Sequence, residues 1–243
     1  MGLVFRNIIM KKSNLIVLVL LLIFQVSLAQ NESGIIYYGH KIGEIAIDTS
    51  KVKNESAKSY ILSQFLQKKR ILSQDNNVYK LSFHEKQSLF EPIKRLDNDA
   101  NSSYVKAVPD DSFFTDLSKN EILRITSFSG EDYIVEQNSN LNWEITGEQK
   151  KINNYLCQKA TVIIENSIGV KTKVTAWFTK DIPLNYGPRE YSGLPGLIVE
   201  LNLRDNIYYL RDIIFKDLEI NQDFEGKPVS NKKYQTLFDM SKY

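Results

Sequence analysis

The chain has one cysteine, Cys157, and two histidines, His40 and His84. One cysteine excludes an internal disulfide, so packing and strand pairing must carry stability. Neither histidine stands in a spaced metal motif, and no H-E-x-x-H or G-x-S-x-G string occurs, so no metal site and no catalytic residue is assigned. No cofactor is implied either. Internal repeats, heptads, low-complexity tracts and long Pro/Gly linkers are also missing, which leaves nothing to divide the chain. The apolar run 15–24 is too short to span a bilayer, which takes roughly twenty residues.

That run has another meaning. Arg6, Lys11 and Lys12 precede it, and Ser27-Leu28-Ala29 then places small residues where signal peptidase looks for them. Residues 1–29 therefore read as a secretory signal peptide, with a mature chain that begins at Gln30, is periplasmic or secreted, and has no transmembrane segment. With no cysteine at the cleavage site, a lipid anchor is excluded. The leader holds three of the 31 Lys+Arg and none of the 29 Asp+Glu, so the mature chain carries 28 against 29, a net charge of −1. A near-neutral chain offers no electrostatic reason to expect nucleic acid or an anionic membrane surface as partner. Residues 30–243 are enough for one β-rich domain with a core of its own.

Aromatic residues are plentiful, with thirteen Tyr and twelve Phe, and these suit half-buried pleated sheets. Gly34-Ile35-Ile36-Tyr37-Tyr38-Gly39 predicts a strand. Apolar residues at helical spacing, among them Tyr60, Ile61, Phe65 and Leu66, predict an amphipathic helix over 53–69. Alternation at Tyr79, Leu81 and Phe83, followed by a polar turn and Ser88-Leu89-Phe90, predicts a hairpin. The polar stretch 95–111 reads as a surface loop, and 122–127 and 133–137 as strands joined by the turn at 129–132.

From Trp143 onward the pattern sharpens. Ala160, Val162 and Ile164 share one face of a strand, 166–169 makes a turn, and Val174, Ala176 and Phe178 share a face of the next. Leu197, Val199, Leu201 and Leu203 alternate with other residues, and Arg204-Asp205-Asn206 leads into 207–215, completing an antiparallel meander. The expected fold is a β-rich α+β domain: an antiparallel sheet or half-barrel with one N-terminal amphipathic helix.

Across this meander occur, in order, Ile152-Asn153-Asn154-Tyr155-Leu156-Cys157-Gln158-Lys159-Ala160, Ala176-Trp177-Phe178-Thr179, Ile182-Pro183, Gly187-Pro188 and Gly193-Leu194-Pro195-Gly196-Leu197-Ile198. In these motifs the chain resembles the GLPGLI family of Bacteroidetes envelope proteins, over about 143–215. The resemblance implies an envelope location and a β-rich fold, and supplies no catalytic residues.

Gly193, Pro195 and Gly196 form a turn signal, since proline fixes φ and glycine permits angles closed to other residues. Two readings of the loop 183–195 follow. It positions Leu197 and the strand behind it in the core, or it presents Asn185, Tyr186, Arg189, Glu190 and Tyr191 as a rigid recognition surface. Cys157 reads as a small buried hydrophobe, although an unbroken strand would set it on one face with Lys159 and Thr161. Asp181, a carboxylate without a partner, reads as a turn residue. Two function classes stand at this point: a non-enzymatic binding or accessory protein of the cell envelope that holds an envelope protein or an apolar ligand, and an enzyme or redox/metal protein using Cys157 with a histidine.

Overall fold

The alternating segments form strands of one open sheet. The computed structural model describes residues 33–43, 52–74, 79–93, 110–166 and 169–238; the expected signal peptide 1–29, the expected new terminus Gln30 and nearly all of the expected loop 95–111 lie outside these. The strands are β1 (Ser33–Ile42), β2 (Tyr79–His84), β3 (Gln87–Pro92), β4 (Ser112–Asp116), β5 (Glu121–Phe128), β6 (Glu131–Glu136), β7 (Glu144–Ile152), β8 (Tyr155–Glu165), β9 (Lys171–Thr179), β10 (Leu197–Leu203), β11 (Asn206–Phe215) and β12 (Lys227–Ser230). They line up as β12-β6-β5-β4-β3-β2-β1-β11-β10-β9-β8-β7. All neighbours are antiparallel except β12, which pairs parallel with β6. The fold is β-rich α+β, as the residue pattern predicts.

One inner face is built by register. Ala160, Ala176, Leu201, Tyr208 and His40 stand directly opposite one another across five strands, and all are buried. A second row runs Phe113, Phe90, Leu81, Ile36. Side chains two residues apart share a face, so these rows make a continuous apolar surface. At its centre the His40 ring stacks on Tyr208 at 4.7 Å between centroids, and Tyr79 stacks on Phe90 at 4.8 Å.

The sheet is curled. Arg124 of β5 and Thr172 of β9 line one cleft although they are seven strand positions apart, which would be about 34 Å in a flat sheet. Accumulated twist brings the two ends round toward each other.

Helix α1 (Glu55–Gln74) begins where Asn54 caps it, its Oδ1 accepting from the Ala57 N–H at 3.1 Å. It runs past the predicted end because Leu72 is fully buried, extending the buried stripe of Phe65 one heptad further. The stripe is narrow: Tyr60, Leu62 and Leu66 remain exposed. A second, five-residue helix, α2 (Asn231–Gln235), follows β12, with its Tyr234 buried against Tyr133.

Three strands escape the sequence reading. In β4, Phe113 and Phe114 face opposite sides and both are buried, so alternation is hidden. The edge strand β7 is mostly exposed and carries an irregularity between Ile145 and Gln149. There three residues of β7 oppose Lys159 alone. Cys157 pairs with Lys150, and Lys150 and Lys159 both reach over the Trp177 ring, so Cys157 keeps the face that unbroken alternation gives it and is buried there. The third, β12, is four residues long and lies at the other edge.

Candidate functional site

Residues 180–196 leave β9, cross the concave face and rejoin the sheet as β10. Their backbone is tied down: Gly193 N–H donates to the Asn185 carbonyl, Leu197 N–H to Ile182 and Ile198 N–H to Tyr186, each at 3.0 Å. Asn185 Nδ2 donates to the Leu194 carbonyl at 2.7 Å. A buried loop needs such bonds, because an unpaired backbone group away from water is costly. Side chains anchor it further. Tyr186 Oη donates to the Glu85 carbonyl at 2.9 Å, Trp143 Nε1 to the Ser192 carbonyl at 2.9 Å, and Tyr38 Oη to the Ile198 carbonyl at 2.7 Å. Ile182, Tyr186, Tyr191 and Leu194 belong to the same core cluster as the inner face of the sheet.

The turn chemistry explains the path. Gly193 has φ +86° with open space where a Cβ would point, whereas Gly196 has φ +148° and a Cβ there would lie 2.0 Å from the Thr179 carbonyl oxygen. The first glycine is required by angle, the second by angle and close approach. Pro195 between them is exposed.

The five residues read as a recognition surface separate. Asn185 is exposed, with its amide committed to the loop. Tyr186 and Tyr191 are only 2% and 1% exposed, so neither is a surface contact. Their rings gain more by filling the concave face than by facing water. Arg189 and Glu190 are half-buried and stand beside each other, Nε to Oε2 at 3.1 Å. The Arg189 guanidinium lies 4.8 Å above the Phe113 ring. Burial alone would lower its pKa, but the Glu190 carboxylate and a hydrogen bond with Tyr208 outweigh that and hold it well above the usual value.

Arg189, Glu190 and Tyr191 form the floor of a cleft of about 790 Å³ between the two ends of the sheet. One wall comes from β8, β9 and the β10–β11 turn, with Ile164, Thr172, Lys173 and Arg204; the facing wall comes from Arg124, the 137–144 connection and α2. The facing wall is rich in amides. Gln235 Nε2 donates to Asn231 Oδ1 at 2.9 Å, Asn231 Nδ2 to Gln137 Oε1 at 3.4 Å, and Gln137 Nε2 to the Val135 carbonyl at 3.1 Å. Asn138, Asn140 and Asn142 continue this wall. The sequence signal was a run of amides, Gln137-Asn138 with Asn140 and Asn142, which reads as polar loop until the fold sets it opposite β9.

Cys157 is fully buried, and burial pushes its thiol up to about 11. Lys150, Asp181 and Glu200 are the charged groups acting on it, and neither histidine is among them. His40 is buried inside the sheet, with Nε2 2.9 Å from Asn206 Oδ1. Asp181 sits in the turn after β9, its N–H donating to Thr179 Oγ1 at 3.2 Å.

A sequence family described as "Protein of unknown function (Porph_ging)" matches residues 165–200, from the end of β8 through the loop into β10. No curated protein matches the chain. Two solved structures of PNGF-II share the fold, each with a TM-score of 0.51. The one in space group P21 is 15% identical over 86% of this chain and 34% of that one; the one in C2 is 14% identical over 86% and 33%. The chain thus spans about a third of the length of those structures, and at such identity the likeness concerns the fold alone.

Proposed function

We propose that the chain is an exported, non-enzymatic binding protein of the cell envelope, of the GLPGLI kind, that holds an extended segment of a partner protein in the polar cleft. One observation carries the reading: the chain's own 180–196 loop packs into the core of the sheet's inner face and leaves this cleft open beside it, with an amide wall ordered by hydrogen bonds. An apolar ligand would compete with Tyr186, Tyr191 and Leu194 for the concave face. Amide side chains, by contrast, supply donor and acceptor together, which is what a peptide backbone requires. The cleft volume lies in the range of ligand sites. Export rests on the leader 1–29 and the small residues before Gln30, and the family reading on the complete hexapeptide Gly193-Leu194-Pro195-Gly196-Leu197-Ile198.

The enzyme alternative draws little from the position of Cys157, since a thiol held protonated by burial is a poor nucleophile. The binding reading is tested by passing a random-sequence decapeptide library over the immobilised protein. Retention is expected for the parent and loss of it for Asn142→Trp, which puts a bulky ring into the cleft. Equal retention by both proteins would remove the cleft from the reading. N-terminal sequencing of the exported protein is expected to begin at Gln30, and an intact Met1 terminus would overturn export by cleavage.

A further inference from the structure

Charge in the cleft is unevenly spent. Arg124 gives both contacts of one NH2 group to Asp111, Oδ1 and Oδ2 each at 3.0 Å. Arg189 is held by Glu190. Arg204 differs: its Nε and one NH2 group reach only Thr172 Oγ1, at 3.4 and 3.2 Å, and no carboxylate stands within ion-pair distance of it among the described residues. A single hydroxyl leaves most of the five N–H donors of a guanidinium unused. Arg204 is exposed and held in the β10–β11 turn at φ +55°, with Lys173 on the same wall. The carboxylates on the cleft are Glu190, engaged by Arg189, Glu165, 3.8 Å from Lys171, and Glu144 on β7. Tyr191, which borders the floor, is kept protonated by burial and then by Glu190, so its ring adds no negative charge beside Arg204.

Resting on the peptide reading of the cleft, we infer that its Arg204 end receives a carboxylate of the bound segment, with Arg204 as the fork and Lys173 as a second positive charge. A planar guanidinium matches a carboxylate with two parallel hydrogen bonds, a stronger and more directional contact than a neutral amide gives. Thr172 sets the orientation of that fork in advance, which lowers the ordering cost on binding. Two chemical sources supply such a carboxylate, an Asp or Glu side chain or a free C-terminus, and both present the same two oxygens.

The test uses the exported protein and three decapeptide libraries: one with free C-termini, one amidated, and one amidated and lacking Asp and Glu. Retained peptides are quantified by mass spectrometry. The parent is expected to retain the carboxylate-free library about tenfold less than the first, in line with the loss of a charge-assisted contact. The amidated library that keeps Asp and Glu identifies the source: retention equal to the first assigns the side chain, retention equal to the third assigns the C-terminus. Arg204→Gln, an exposed substitution that leaves the fold intact by circular dichroism, should abolish the preference between the first and third libraries. Added salt should weaken parental retention more than that of the variant. An unchanged preference in Arg204→Gln, or equal parental retention of all three libraries, overturns the carboxylate site but leaves the cleft reading standing. No retention of any library by the parent overturns both.

Discussion

His40 carries a pH dependence that its burial dictates. Desolvation, offset in part by the Asn206 bond and Asp205 and reinforced by Lys68 and Arg189, lowers its pKa to about 4. The unfolded chain binds this proton below about pH 6.5, and the folded chain does not until about 4, so the unfolded state binds more protons in between. The stability tied to the neutral ring is therefore complete above pH 6.5 and is lost as the pH falls to 4, about 3 kcal/mol in all. Denaturant unfolding of the parent and His40→Gln across this window checks it, and equal pH slopes would refute the assignment. Cys157 makes the companion case. Buried and protonated, it should react with thiol reagents at the rate at which the protein opens, and rapid labelling of the native state would contradict its placement in the core.

At the scale of elements, the loop 180–196 behaves as part of the core rather than as a display of side chains. Gly193→Ala is expected to cost about 1 kcal/mol, the cost of a Cβ at positive φ. Gly196→Ala should cost more, because the same Cβ also meets the Thr179 carbonyl. Urea titration of the two variants ranks them, and a reversed order would show that close approach is relieved elsewhere. Tyr191→Ala removes a buried ring that packs on Trp143, so a loss of about 3 kcal/mol or more is expected, seen as a lower midpoint with unchanged m. A melting temperature equal to the parent's would mean that the ring is not buried in solution. This reverses the outcome that an exposed recognition loop implies, and the sequence could not decide it: a tyrosine between Gly-Pro and Gly-Leu-Pro-Gly suits a rim or a core equally well until its surroundings are known.

For the molecule as a whole, a single hydrogen-bonded sheet from β12 to β7 implies one cooperative unit. Unfolding followed by tryptophan fluorescence, which reports Trp143 and Trp177 near one end of the sheet, should coincide with unfolding followed by far-ultraviolet circular dichroism, which reports every strand. Separate midpoints would divide the chain into more than one folding unit. Much of this sheet is legible beforehand. The succession β8, β9, β10, β11 follows from alternation and turn residues, because the period of two and the short connections at 166–169 and 204–206 are local properties. The extent of α1 was less legible, since Lys68-Lys69-Arg70 resembles an end, whereas Leu72 finds the core one turn later.

What the chain determined by itself is therefore what neighbours along it can specify: strands by alternation, and turns by glycine and proline. Tertiary structure decided the rest. Whether Tyr186 and Tyr191 face water, whether the face of β8 that carries Cys157 is covered, and whether the amides of 137–142 come to line one cleft with Thr172 and Arg204 all depend on the curl of a twelve-strand sheet. That curl sums small twists over many strand pairs and juxtaposes residues far apart in sequence, so no local pattern encodes it.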